Sequence, residues 1–331
     1  MNPTIRDVAK LANTSKSTVS RFLNGQKVKK ETEEALIKAI KELNFYPNVN
    51  ARRLVMSKTK TIGVVVDDIA NYFYSPIISG IEKVAKEKGF HCVFYSLTTN
   101  YFYESSSLEL LYEGQVDGLI LVSFKLRSNE TLNKIANANY PIVLVGHAGT
   151  IDGIASVDVD DVSGITDIVH YLNRLGHEKI AYISGPENYS ASKFRLAGFQ
   201  KVASGLGIKT SIVCSNWSNE SGYNAMNELL QKMDFTAVVA SNDEAAIGAL
   251  RACHDLGYQI PHDFSITGYD DIAISSWVSP SLTTVRQPFE EIGRKAAEYL
   301  FQNIENENDS VMNRILLKPK LIVRDSCVKV G

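Results

Sequence analysis

Apolar positions follow two rhythms along this chain. In the first fifty residues they recur at helical spacing: Val8 and Leu11 with Ile5 a turn before, then Val19, Phe22 and Leu23, then Ala35, Leu36, Ala39, Ile40 and Leu43. From Thr61 the texture changes to short, near-continuous apolar runs separated by amphipathic stretches. The first rhythm predicts a small all-helical unit. The second predicts parallel sheets covered by helices on both faces.

Local signals place the ends of the early helices. Thr4 and Asp7 have the T-x-x-D spacing of an N-terminal cap. Asn13 and Thr14 break the first helix, Ser15 is a good cap for the second, and Asn24-Gly25 ends it. Two short helices about three residues apart form a helix-turn-helix candidate. Lys16, Ser17, Ser20 and Arg21 lie off the apolar stripe of the second helix, which has no acidic residue. Such donors and acceptors suit phosphates and base edges. The competing reading is a solvated face, which more often shows Glu/Lys pairs. A third helix, about Glu31 to Leu43, closes the small core. After Pro47, residues 48–55 make only about two basic turns bearing Leu54. A helix that short is marginal alone. It suits folding on DNA, with the leucine entering a minor groove, or else a linker whose Leu54 packs on the body.

In the body, strands are expected at Ile62–Val66, Cys92–Tyr95, Gly118–Val122, Ile142–Val145, Ile180–Ile183, Thr210–Cys214, Val238–Ala240 and Phe264–Thr267. Helices are expected at Ile77–Lys88, Ile165–Leu175, Phe194–Ser204 and Glu244–Leu256, with Gly89, Gly176, Gly205 and Gly257 ending helical stretches. The units are too many for one small sheet, so two similar lobes are expected. Ligands of open α/β sheets sit beyond the carboxyl ends of strands. That singles out Asp67-Asp68, Phe124, His147, Asn242-Asp243 and Tyr269-Asp270-Asp271.

Composition narrows the function. Apolar residues make up 44% and charged residues 22% of 331, the balance of a globular chain. No apolar run is long enough to span a bilayer and the first residues lack a signal-like apolar segment, so a cytoplasmic protein without membrane contact is expected. Residues 1–60 hold 13 Lys and Arg against 5 Asp and Glu, whereas the rest hold 22 against 32. A basic head on an acidic body suggests that only the head meets a polyanion. Cys92, Cys214, Cys253 and Cys327 are far apart and read as free thiols. The run from Gly205 to Thr210 lacks phosphate-loop spacing, no G-x-S-x-G occurs, and Asp158, Asp160 and Asp161 lack the rest of a calcium loop. No enzyme chemistry, cofactor or metal is expected; His147 has no second ligand nearby.

The run TIRDVAKLANTSKSTVSRFLNG and the later FYPNVNARRL resemble the DNA-binding head and hinge of the LacI/GalR regulators. RLGHEKIAYISGP, FRLAGF, VVASNDEAAIGAL, SITGYDD and LTTVRQPFEEIG continue the resemblance in order through the body. It implies a helix-turn-helix head over 1–46, a hinge helix and linker over 47–60, and a two-lobed effector-binding and dimerisation domain over 61–331. The fold class implied is an all-α head on an α/β body like periplasmic binding proteins, with lobe crossings near Asp160, Phe289 and Lys320. In the head, Lys16, Ser17 and Arg21 should face bases, while Thr4, Ser15, Thr18, Ser20 and Asn24 position the backbone. Asn48, Ala51 and Arg52 belong to the hinge pattern, with Leu54 as wedge. In the body, Arg195, Asn242 and Asp270 match effector-bonding positions and Trp217 a stacking position. Tyr72, Phe73 and Tyr74 form a further wall; Gln287 and Phe289 lie near the last crossing. Two departures stand out: Tyr72 replaces a usual proline, and Gly146-His147 a common Asp-Arg. The function implied is a homodimeric regulator, a repressor above all, that binds near-palindromic operator DNA and answers to a carbohydrate-like effector. A transport solute-binding protein is the alternative; it explains the body but not the basic head.

Overall fold

The computed structural model describes residues 3–23, 26–46, 58–97, 107–123, 129–146, 154–232, 234–305 and 314–330. The chain divides into two units, Met1–Thr59 and Lys60–Gly331. Asn24 and the hinge positions Asn48, Ala51, Arg52 and Leu54 lie outside the described residues, as do Phe124 and His147.

In the first unit, α1 (Ile5–Leu11), α2 (Lys16–Leu23) and α3 (Lys30–Glu42) close on Val8, Val19 and Leu36, all shut off from solvent. Burying each such side chain stabilises by about 1.5–3 kcal/mol, which is how so small a core holds three short helices. One expectation fails: Leu11 is 44% exposed, and Ala9 and Ala12 take the inner face instead. Close helix approach favours the small side chains there.

The body begins with a first lobe built on β1 (Thr61–Val66), β2 (His91–Ser96), β3 (Gly118–Val122), β4 (Ile142–Val145) and β5 (Ala155–Val159). A second lobe follows with β6 (Lys179–Ser184), β7 (Lys209–Cys214), β8 (Ala237–Ala240), β9 (Ser265–Thr267) and β10 (Thr284–Arg286). The strand β11 (Arg314–Leu317) returns to the first sheet, and β12 (Lys320–Ile322) pairs antiparallel with β10. The first sheet runs β11-β5-β4-β3-β1-β2 and the second β7-β6-β8-β9, parallel throughout.

The helices are α4 (Ser75–Glu87), α5 (Glu109–Tyr112), α6 (Asn129–Ala136), α7 (Asp161–Arg174), α8 (Ser190–Gly205), α9 (Asn219–Lys232), α10 (Asp243–Asp255) and α11 (Phe289–Glu305). Alternate strand residues serve opposite faces. Ile62, Val64, Ile120 and Val143 pack under α4 and α11, while Val65, Leu119, Leu121 and Leu144 face α5 and α6. In the second lobe Ala181, Ile183 and Val238 meet α9 and α10; Ile180, Tyr182 and Val239 meet α7 and α8. Two covered faces explain the near-continuous apolar runs.

The chain leaves the first sheet after Val159 and enters α7 of the second lobe through Asp160, whose carboxylate caps Ser163 N at 3.0 Å. It returns between Arg286 and Phe289, and passes again between Leu317 and Lys320. Gly89, Gly176 and Gly257 take left-handed backbone after their helices. Gly205 does not: α8 runs through it, and Gly207 makes the turn at φ +70°.

Candidate functional site

Two surfaces carry polar chemistry, one in each unit. In the head, the Asp7 carboxylate accepts Thr4 N at 2.8 Å and the Thr4 hydroxyl at 2.7 Å, closing the start of α1. Those bonds hold the Asp7 carboxyl below the usual carboxylate range. Ser15 Oγ accepts Thr18 N at 3.1 Å and so starts α2. Lys16, Ser17 and Arg21 are exposed on α2, while Thr18 and Ser20 are half-buried at its flank. Arg21 reaches back to Thr18 Oγ1 at 3.5 Å. The exposed face of α2 thus presents two cations and hydroxyls with no carboxylate on the helix.

In the body, a cavity of about 270 Å³ opens at the carboxyl ends of β1, β7, β8 and β9, bordered by both lobes. The first lobe contributes Phe73 and Tyr74, in the short turn Tyr72–Tyr74 that leads into α4. Tyr74 donates to Asp67 Oδ2 at 3.1 Å, and Ser123 donates to Asp67 Oδ1 at 2.7 Å. Burial, aided by Asp67, pushes the Tyr74 phenol up, so it stays protonated. The side chain of Tyr72 lies outside the described residues.

The second lobe contributes Trp217, held on a backbone at φ +72°. Its Nε1 donates to Ser241 Oγ at 3.0 Å, and Asn242 Nδ2 donates to Trp217 O at 3.0 Å. Gly185 is needed beside it: a Cβ there would stand 1.9 Å from the indole nitrogen. Tyr189 lies 4.6 Å from Trp217 between ring centres, which extends the aromatic wall. Burial pushes the Tyr189 phenol up to about 12.

Arg195 lines the cavity although 4% exposed. Its Nε donates to Asp161 Oδ1 at 2.9 Å, and its Nη1 to Ser241 O at 2.6 Å and Asp270 Oδ1 at 3.4 Å. The guanidinium also covers the Tyr269 ring at 3.8 Å. Burial disfavours its charge, yet Asp161 and Asp270 outweigh this and its pKa is raised. Burial pushes Asp270 up to about 8 against the pull of Arg195. In sequence Arg195 shows no partner; the fold supplies Asp161 from the start of α7.

Among the expected residues, Phe73, Tyr74, Arg195, Trp217, Asn242 and Asp270 come together around the cavity. Gln287 and Phe289 stand behind the wall. Gln287 donates to Asp270 Oδ1 at 2.6 Å, and Phe289 packs edge-on against Phe73 at 4.6 Å. Asn242 also serves the fold, since its Oδ1 caps Ala245 N at 3.0 Å. Sequence reading misses Asn71, Tyr189, Asn216, Ser218 and Glu244. Asn71, Asn216 and Ser218 follow β1 and β7, so the strand-end rule that found their neighbours could have found them. Among the described residues no His, Cys, Asp and Glu cluster could hold a metal, and no helix is long and apolar enough to cross a membrane.

A small helical head with a polar, acid-free α2, followed by a two-lobed body with a cleft, fits a ligand-controlled DNA-binding regulator. Comparison with known proteins gives the same class. The bacterial regulatory proteins of the lacI family are matched over residues 4–48, and a periplasmic binding protein-like domain over 169–327. Catabolite control protein A of Priestia megaterium is 33% identical over 94% of this chain and 96% of its own length. The probable HTH-type transcriptional repressor ExuR of Bacillus subtilis is 33% identical over 98% of each. The structure of the lac repressor dimer bound to operator and the anti-inducer ONPF superposes with a TM-score of 0.89 at 28% identity, covering 99% of this chain and 100% of that one. A complex of the transcriptional regulator CelR with cellobiose gives 0.73 at 31% identity over 98% of this chain and 99% of that one. The chain belongs to the lacI family of bacterial regulatory proteins, and is a transcriptional regulator rather than an enzyme.

Proposed function

We propose that this chain is a cytoplasmic, homodimeric repressor that binds a near-palindromic operator and is controlled by a carbohydrate effector in the body's cleft. The observation that carries this reading is the aromatic-walled cavity around Arg195, Trp217 and Asp270, on a chain whose α2 exposes Lys16, Ser17 and Arg21. Sugars offer C–H faces to aromatic rings and hydroxyls to planar polar groups, and the cavity provides both. The relatives bound to cellobiose and to operator DNA support the same division of labour.

On this reading Lys16, Ser17 and Arg21 face base edges, and Thr4, Ser15, Thr18, Ser20 and Asn24 fix the register on the backbone. Asn48, Ala51, Arg52 and the wedge Leu54 form the hinge at the operator's centre. Effector binding changes the lobe relationship, and the operator affinity shifts by a coupling of about 1–3 kcal/mol. The test is a mobility shift on a selected operator, with and without a panel including cellobiose and ribose. A sugar-dependent change that Arg195→Ala abolishes supports the proposal. Indifference of operator binding to every sugar, with no sugar binding to the isolated protein, counts against it.

A further inference from the structure

Arg195 is the one cation among the described residues that line the cleft, and the protein neutralises it internally. Asp161 takes its Nε at 2.9 Å, with both side chains at most 5% exposed. Asp270 adds a second carboxylate at 3.4 Å. Glu244 also lines the cavity. The Arg195–Asp161 pair alone brings the local charge to zero, and Asp270 and Glu244 can only make it negative. A buried guanidinium facing open space would receive a carboxylate or phosphate in a bidentate grip. Here the fold already takes Nε and Nη1, one nitrogen of each fork. An incoming anion would meet Glu244, and Asp270 wherever the pH leaves it ionised, where little water screens them. The remaining features, Trp217, Tyr189, Phe73 and the amides of Asn71 and Asn216, ask for no ligand charge.

We infer that the cleft takes an uncharged polyhydroxylated ligand and turns away uronates and sugar phosphates, with Asp161 and Asp270 as the residues that set this preference. The inference rests on the cleft being the effector site. Its test uses inorganic phosphate as the probe, so it does not depend on knowing the effector. The chain has two tryptophans. In full-length protein carrying Trp277→Phe, Trp217 alone reports on the cleft. Phosphate titrated at pH 9, above the raised value of Asp270, and at constant ionic strength should give no saturable change in that parent protein. Asp161→Asn and, separately, Asp270→Asn each free the guanidinium, and should bind phosphate on the order of 10-fold or more tighter than the parent. Adding Arg195→Gln should remove the gain.

Saturable phosphate binding by the parent that Arg195→Gln abolishes overturns the inference, whether or not the carboxamide variants fold. So does glucuronate or glucose 6-phosphate binding the parent through Arg195. Folded carboxamide variants that gain nothing overturn it too. A panel in which no sugar binds would defeat the effector reading instead, while the phosphate result would still stand.

Discussion

A Cβ on Gly248 would stand 1.9 Å from the carbonyl oxygen of Asn219, so α10 lies against the bare backbone of α9. The relation is reciprocal, since a Cβ on Gly222 would stand 2.2 Å from Ala245 O. The first lobe repeats the device: a Cβ on Gly80 would stand 2.2 Å from Glu290 O, and one on Gly293 2.0 Å from Ile77 O. Each lobe therefore has one helix pair whose spacing two glycines set. Backbone cannot swing aside as a side chain can, so one added methyl must push the helices apart.

Gly248→Ala and Gly293→Ala should each cost about 1–3 kcal/mol, the range for overpacking a tight core. In a domain of this size each kcal/mol lowers the melting temperature by about 2–4 °C. Gly205→Ala is the control: its Cβ meets nothing within 4 Å and its backbone is helical. It should leave stability level or raise it by about 0.5–1 kcal/mol. Thermal melts of the three variants decide. Equal losses in all three would refute the packing argument.

Period and strand-end rules made the architecture legible where residues act locally. Gly118–Val122 and Ile142–Val145 are the observed strands to the residue, because fully buried parallel strands are apolar throughout. Strand β5 escapes that rule: Ser156 and Asp158 interrupt it, and Asp158 is tolerated inside because Arg314, far along the chain, donates to it at 2.7 Å. The site divides the same way. Residues directly after strands, such as Asn242 and Asp270, are visible from sequence. Tyr189 precedes a helix and reaches the cavity only through the path of α8, and the partner of Arg195 depends on the first lobe crossing. Leu11 fits the helical period yet faces out, since period alone does not say which neighbour fills the inner face.

On the proposed reading, the α2 face makes a sharp prediction. Arg21 is exposed, with its guanidinium 3.5 Å from Thr18 Oγ1. Arg21→Ala should cost about 1–3 kcal/mol on operator and relax preference at one base position. Lys16→Ala should show which kind of contact Lys16 makes: a base contact lowers specificity, a phosphate contact lowers all binding and the salt slope by about one. Competition shifts at several salt concentrations separate the two. If the Arg21 variant keeps the original operator-to-random ratio, Arg21 reads no base.

His177 ties the final segment to the second lobe. Its ring bonds Thr236 Oγ1 at 2.9 Å and Val328 O at 3.1 Å, and Val330 N donates to Leu175 O at 2.8 Å. Burial lowers the His177 pKa, against a raising pull from Val328. The folded pKa lies below the unfolded one, so the stabilisation is present above the unfolded value of 6.5 and lost as pH falls through the folded value. The protection of the amides at residues 326–330, measured against their intrinsic exchange rate at each pH, should therefore fall on acidification, well before the core opens. In His177→Gln that pH dependence should vanish, and its persistence would assign the loosening to another group.

Asp243 reverses that sign. It is buried at the start of α10 and accepts Ile272 N at 2.9 Å, Ser275 Oγ at 2.6 Å and Thr284 Oγ1 at 2.5 Å. Burial nonetheless pushes its carboxyl up to about 7, with nearby Asp271 adding to the rise and the three hydrogen bonds resisting it. The native state holds this proton more tightly than the unfolded chain, whose value is 3.8. Its contribution is thus full below pH 3.8, declines as pH rises towards 7, and is gone above that. At 1.36 kcal/mol per unit the swing is at most about 4 kcal/mol. Carboxylates with lowered pKa values, such as Asp234 and Asp255, pull the opposite way at low pH. The comparison must therefore be between variants and not between pH values alone. Asp243→Asn keeps the volume and two of the acceptor contacts but cannot ionise. Between pH 5 and 8 its unfolding free energy in urea should fall less than that of the parent, and the two curves should converge towards acid. Parallel curves across that range would mean that Asp243 is ionised throughout, and that its three donors outweigh its burial.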